Sequence, residues 1–375
     1  MKFKIKNNIF SEAINNVNRA LSTKTPMPIL KSIKMDLTNE GIFLTASDSN
    51  ITIKQFIPTF INDIQVINID EVGSAAVPGK LLLEVLRKAN DEFVELTMFE
   101  GKVININFKN SDFTLNCLDV KEYPNIDLIS TDNPIELDSN QLNEIIKQTV
   151  ISVSTNESRP ILTGVNFKIQ NNILSCVATD SYRLSEKVVS FDFDLPNINI
   201  VVPGKSLLEL EKLLITSQGN VQIHLTNNII SFKMKNIIFQ SRLLDGSYPE
   251  TSRLIPKEFG LTQQFNRQEL INVVDRVSLL SREGATNIIK FDIYEDKTIV
   301  SLDSPEIGKV VEEVQPLSQE GSLIRIGFNS KYLLDALKVL SDNKVTIKFT
   351  GEVRPFIIKT NDESITQLIL PVRIE

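Results

Sequence analysis

The sequence predicts an α+β protein built from three repeated domains, each with two helices packed on antiparallel sheets. Three observations carry this: a unit that recurs three times, helical periodicity that opens each half of the unit, and alternating strand-like runs that fill the remainder. At 375 residues and 42% hydrophobic composition, the chain exceeds the usual single-domain size and can bury a sizeable core.

The opening of each copy stands in KFKIKNNIFSEAINNVNRAL (2–21), IELDSNQLNEIIKQTVISVS (135–154) and QFNRQELINVVDRVSLLSR (264–282). Each reads as a short strand leading into an amphipathic helix, with a polar residue placed to cap it; in the second copy Ile145, Ile146, Thr149, Val150 and Val153 recur at helical spacing. A second helix follows in AAVPGKLLLEVLRKAND (75–91), IVVPGKSLLELEKLLITS (200–217) and IGFNSKYLLDALKVLSD (326–342), with Lys80, Lys205 and Lys331 in register. Between the helices lie alternating runs such as GIFLTASDSNITIKQF, NILSCVATDSYRLSEKVV and KTIVSLDSPEIGKVVEEV, read as hairpins with Asp48, Asp180 and Asp303 in matching positions. Each copy is thus two halves of the form strand, helix, three strands. The helices are expected over 11–24, 79–90, 139–152, 204–215, 266–282 and 330–341. Proline-bearing stretches at 118–134 and 243–256, both containing Leu-Asp and then Tyr-Pro, suit connectors, which puts the domains at 1–125, 126–253 and 254–375.

Several function classes are disfavoured by the same residues. No apolar run approaches the roughly 20 residues that span a bilayer, and MKFKIKNNIF has no signal-peptide core, so a cytoplasmic protein with no membrane partner is expected. Cys117 and Cys176 are the two cysteines, far apart and without CxxC spacing; both read as small buried apolar residues. The single histidine, His224, has no second histidine to share a metal and is expected at the surface. Gly204-Lys205-Ser206 precedes a helix, but a phosphate-binding loop needs glycine where Asn199 stands, and Gly79-Lys80 is followed by Leu81. With no nucleophile elbow, metalloprotease helix, dinucleotide fingerprint or calcium loop, the chain reads as a non-enzyme needing no metal or cofactor.

A net charge of −7 argues against a large basic surface, so any nucleic-acid partnership must use local charge or topology. The six expected helices sum to +5, leaving −12 for the rest, so positive charge concentrates on the element that repeats. With axes about 9 Å apart, six helices in a circle leave no room for a duplex, whereas twelve leave a hole of about 24 Å. By this geometry two chains could encircle DNA where one could not.

The repeat and several long strings together resemble the beta subunit of bacterial DNA polymerase III, the sliding clamp family, over the whole length. TPMPILKSI (25–33), CVATDSYRL (176–184), IVVPGKSLLEL (200–210), RLLDGSYPETSRLIP (242–256), IGFNSKYLLDAL (326–337) and LILPVRIE (368–375) carry the resemblance, in order. It implies three domains of DNA-clamp fold per chain and a head-to-tail homodimer closing into a ring around duplex DNA, without sequence preference. It further implies a pocket that takes short Gln-containing hydrophobic peptides from the DNA polymerase III alpha subunit, the clamp loader and repair polymerases. Carried over by residue, that pocket comprises Leu162, Thr179, Ser181, Tyr182, Arg183 and Leu184, then Pro249, Arg253 and Leu254, then Val353, Pro355, Leu370, Pro371, Val372 and Arg373. Leu184, Leu254, Val353 and Leu370 are expected to form its apolar slot, with Arg183, Arg253 and Arg373 at the rim. Lys24, Lys80, Arg159 and Lys205 are expected to touch phosphates, and Phe113 and Leu115 of one copy to meet Leu279 and Leu280 of the other.

Two other functions remain open at this level: a repeat-built DNA-modifying enzyme or nuclease, and a peptide-binding scaffold without a DNA role. A metal-dependent nuclease assay and retention on closed circular against linear DNA separate the three.

Overall fold

The computed structural model describes residues 1–22, 25–281, 287–304 and 307–374, so Lys24 lies outside the described residues. Two compact units are present, one of residues 1–142 with 209–243 and the other of 143–208 with 244–375. Mixed helices and antiparallel sheets build both.

Six helices occur among the described residues: α1 (Asn7–Val17), α2 (Gly79–Lys88), α3 (Ser139–Val150), α4 (Gly204–Leu214), α5 (Arg267–Val277) and α6 (Ser330–Val339). Five begin within one residue of expectation. In α3, Asp138 Oδ1 accepts from the amides of Asn140 and Gln141 at 2.9 and 3.2 Å, and in α5 Asn266 accepts from the Glu269 amide at 3.0 Å. These are the side-chain caps that free helical N–H groups require. The first helix departs from expectation, starting at Asn7 rather than 11, behind Lys6, which makes no side-chain cap. Asn7 instead turns its amide onto the Leu86 and Ala89 carbonyls at the end of α2, at 3.3 and 2.8 Å. A tertiary contact thus replaces the local signal. The fifth helix ends at Val277 and continues as a 3-10 turn, Ser278–Ser281.

In the first unit, a five-stranded sheet runs Ser111–Asn116, Val103–Phe108, Phe93–Phe99, Lys2–Lys6, Ile67–Glu71. Its eight-stranded companion contains Ile51–Pro58 beside Ile237–Arg242, with Ile53 opposite Phe239. The second unit has a four-stranded sheet edged by Gly308–Val314 and a nine-stranded sheet in which Arg183–Ser190 lies beside Ile365–Ile369, Ser185 opposite Gln367. Alternation along these strands sets the core: Phe265, Phe291, Phe328, Phe349 and Phe356 are fully buried in the second unit, with Phe328 4.9 Å from both Phe291 and Phe356.

Three sequence expectations need correction here. His224 is 3% exposed, not at the surface, because the connector 127–131 covers its face of the strand Asn220–Leu225. The Thr131 amide donates to His224 Nδ1 at 2.9 Å, while Gln240 binds the Asp127 carbonyl and the Ile129 amide at 3.2 and 3.1 Å. Burial first, and then the nearby Lys233 charge, hold the His224 pKa below its ordinary value. Asp303 does not match Asp48 and Asp180: those two accept backbone amides within tight turns, whereas Asp303 sits in a strand opposite Lys309. Cys176 is buried as expected, but Cys117 is only half-buried; loss of solvent pushes its thiol up to about 11.

Candidate binding groove of the second unit

The groove is built around one turn. After the strand Ile173–Thr179, Asp180 Oδ1 accepts from the amides of Tyr182 and Arg183 at 2.9 and 3.0 Å, and Thr179 Oγ1 donates to the Arg183 carbonyl at 2.6 Å. These bonds hold Ser181 at φ 77°, a left-handed conformation that non-glycine residues rarely adopt. Tyr248 from the connector accepts the Thr179 amide at 2.9 Å, and the Leu370 amide donates to the Tyr182 carbonyl at 2.9 Å. Burial pushes the Tyr248 phenol up to about 12.

Two cavities open on either side of this turn. The smaller, about 270 Å³, is an apolar slot walled by Leu162, Leu184, Leu254, Pro249, Pro355, Leu368 and Leu370, with Arg159, Thr179, Ser181, Thr251 and Arg183 supplying polar atoms. Leu184, 1% exposed, forms part of its floor with Val177, Ile357 and Leu368, whereas Leu254, 52% exposed, stands free at its wall. The larger, about 620 Å³, is mostly polar and includes Ser154, Asn156, Arg159, Tyr182, Asn329 and Tyr332. Apolar walls with a few directed polar groups suit an amphipathic peptide.

The structure therefore gathers Leu162, Thr179, Ser181, Arg183, Leu184, Pro249, Leu254, Pro355 and Leu370 at the slot, and Tyr182 at the larger cavity. Arg253, Val353, Pro371, Val372 and Arg373 line neither cavity. Val353 is 64% exposed, and the Val372 amide is bound to the Gly327 carbonyl at 2.8 Å. Arg183 is not a free rim charge: it pairs with Asp180 at 3.0 Å and Asp335 at 2.7 Å and lies 4.4 Å from the Tyr332 ring centre. It is a strut between the turn and α6. Sequence reasoning missed Leu368, Thr251, Asn329 and Tyr332 as lining residues, and expected Arg159 at phosphates alone. Two-residue alternation with Leu370 was a signal for Leu368; the others arrive from distant segments.

Of the expected phosphate contacts, Lys80, Arg159 and Lys205 are exposed, and Lys205 makes one highly exposed ion pair with Glu157 at 3.5 Å. The observed helices and their 3-10 turns carry eleven basic and eight acidic residues, a net +3 rather than +5, because Lys24 and Arg282 fall outside the described residues. Phe113 is 39% exposed on the edge strand Ser111–Asn116, stacked 5.5 Å from Phe108, and Leu115 is half-buried. Leu279 is 52% exposed, while Leu280 packs beside Val310 against the aromatic core. No helix among the described residues is long and apolar enough to cross a membrane, and no group of three or more His, Cys, Asp or Glu among them is placed to hold a metal.

Comparison with known proteins matches the N-terminal, central and C-terminal domains of the DNA polymerase III beta subunit to residues 1–127, 136–250 and 252–373. The chain belongs to this family, whose members are the sliding clamps of DNA replication. It is 42% identical over 376 residues to the beta sliding clamp of Bacillus subtilis, covering all of both chains, and 40% identical over 374 residues to that of Staphylococcus aureus, covering 100% of this chain and 99% of the relative. The crystal structure of the Bacillus subtilis DNA polymerase sliding clamp superposes with a TM-score of 0.94 at 41% identity, with both chains fully covered. The function is that of a processivity factor partnered with DNA and polymerase.

Proposed function

We propose that two copies of this chain join head to tail, sheet edge to sheet edge, in a closed ring around duplex DNA. In this reading, the groove beside Leu184 and Leu254 tethers the DNA polymerase III alpha subunit, the clamp loader and repair polymerases by their hydrophobic peptides. The protein carries no catalysis of its own, works in the cytoplasm, and divides at 1–125, 126–253 and 254–375.

The supporting observation is a pair of unused strands. Each of the six half-units ends in a third strand. Ile51–Pro58 pairs with Ile237–Arg242, and Arg183–Ser190 pairs with Ile365–Ile369, so each time a first-half strand takes a second-half strand of the following repeat. Left over are Gly308–Val314, a first-half strand, and Ser111–Asn116, a second-half strand, each paired on one side only among the described residues. A second copy satisfies both by the same rule, and an unpaired edge is a standing invitation to do so. The hairpin registers extend the rule to single residues. Phe113 stands where Phe239 and Gln367 stand, and Val310 where Ile53 and Ser185 stand, so the proposed register sets Phe113 opposite Val310, with Leu280 alongside.

Phe113→Asp or Leu279→Asp, both at exposed positions, is expected to shift sedimentation from dimer to monomer while leaving the thermal transition of the chain in place. An unchanged dimer in both variants excludes this interface.

A further inference from the structure

The two sheet joints inside the chain differ at their helix-facing centre. Where Ile53 meets Phe239 the pair is apolar; where Ser185 meets Gln367 it is polar and almost solvent-free, at 0% and 2% exposure. A buried polar pair survives only if every group finds a partner. Here Gln367 Nε2 donates to the Gln148 carbonyl at 2.8 Å, Ser185 Oγ donates to Gln367 Oε1, and the Ser152 and Ser185 hydroxyls lie 2.6 Å apart. A hydroxyl carries one proton, so Ser152 must donate to Ser185 and the chain of bonds runs one way, from Ser152 to the end of α3. Gln148 lies in the last turn of α3, whose carbonyls have no helical partner, so the Gln367 amide acts as its C-terminal cap.

The network ends where the groove wall begins. Directly after Ser152 the chain runs from Val153 to Arg159, lining the larger cavity with Ser154, Asn156 and Arg159. Beyond Ser152 this segment is held by the Ser154 amide on the Leu162 carbonyl at 2.8 Å, by short-range bonds among Ser154, Asn156 and Ser158, and by the exposed Glu157–Lys205 ion pair at 3.5 Å, which solvent screens. On the opposite face of the same strand pair, Leu184 and Leu368 line the apolar slot.

We propose that Gln367 and Ser185 are positioning residues for partner binding: without touching the peptide, they fix the polar wall 153–159 relative to the apolar slot, so that both ends of one peptide are met at once. This rests on the groove reading above. Its premise, taken from that reading, is that the glutamine of a partner peptide meets the polar cavity and its hydrophobic residues the slot.

The test uses the full-length protein and two synthetic peptides, one with a glutamine followed by hydrophobic residues and one trimmed to the hydrophobic residues alone. Gln367→Leu keeps the volume and removes both amide bonds; Ser185→Ala is the milder variant. Both are expected to weaken the longer peptide, by about tenfold for Gln367→Leu, while the trimmed peptide holds within about twofold. Amide hydrogen exchange at Ser154 and Asn156 should quicken without any peptide present. Unchanged exchange and unchanged long-peptide affinity overturn the proposal, as does equal loss for both peptides, which marks a merely structural role. If Leu254→Ala also leaves both peptides unaffected, the groove reading itself fails; if Leu254→Ala weakens them and Gln367→Leu does not, only the positioning role fails.

Discussion

Truncating Leu254 and Leu184 separates a binding wall from a structural floor within one slot. Leu254 is 52% exposed, so about half of its side chain is free to be covered by a ligand. Full burial of a leucine stabilises by about 1.5–3 kcal/mol, so covering that half contributes about 0.8–1.5 kcal/mol. Leu254→Ala should therefore weaken a synthetic clamp-binding peptide roughly four- to twelvefold, with little change in thermal stability. Leu184 is already 1% exposed and packed against Val177, Ile357 and Leu368, so its truncation leaves a cavity and costs folding about 2–5 kcal/mol. Calorimetric titration with the peptide, beside thermal unfolding of each variant, resolves the two effects. Equal losses of stability in both variants, or full affinity in Leu254→Ala, would refute the assignment of wall and floor.

Replacing Lys80, Arg159 and Lys205 singly by alanine should make equilibrium binding to linear duplex less salt-dependent, each lost phosphate contact reducing the log–log salt slope by about 0.9, with no dependence on base sequence. An unchanged slope in all three excludes them from the phosphate surface. His224 governs a pH dependence. Its folded pKa is depressed by burial and by Lys233, so the neutral ring is favoured and stability is level above the ordinary value of 6.5, then falls as pH drops below it towards the folded pKa. Urea unfolding of His224→Gln across pH 5–8 should lack that acid-side decline; an identical decline in the variant would place its origin elsewhere.

Much of the fold is legible in the sequence because its signals are local. Asp138 and Asn266 announce helix starts by their own side chains, and Phe291 and Phe328 declare the core by alternation. Asn7 shows the limit: it begins α1 by bonding carbonyls about 80 residues away, and nothing around it signals that. The strand joints are likewise silent, since Ile53 and Phe239 each look like ordinary core positions until the register pairs them. At the groove, Leu184 and Leu370 follow from family strings, but the capture of Arg183 by Asp335 and the approach of Tyr332 depend on a helix some 150 residues downstream. His224 was misplaced for a related reason: a strand position alternating outward is buried when a connector crosses it.

Topology is the central claim, and retention on DNA measures it directly. The protein should be loaded onto nicked circular DNA, the nick sealed, and half of the sample linearised before gel filtration at high salt. A ring that encloses DNA without binding it tightly stays with the closed circle and slides off the linear duplex, even where salt has screened every phosphate contact. Loss from both forms at the same rate, or equal retention on both, would contradict encirclement.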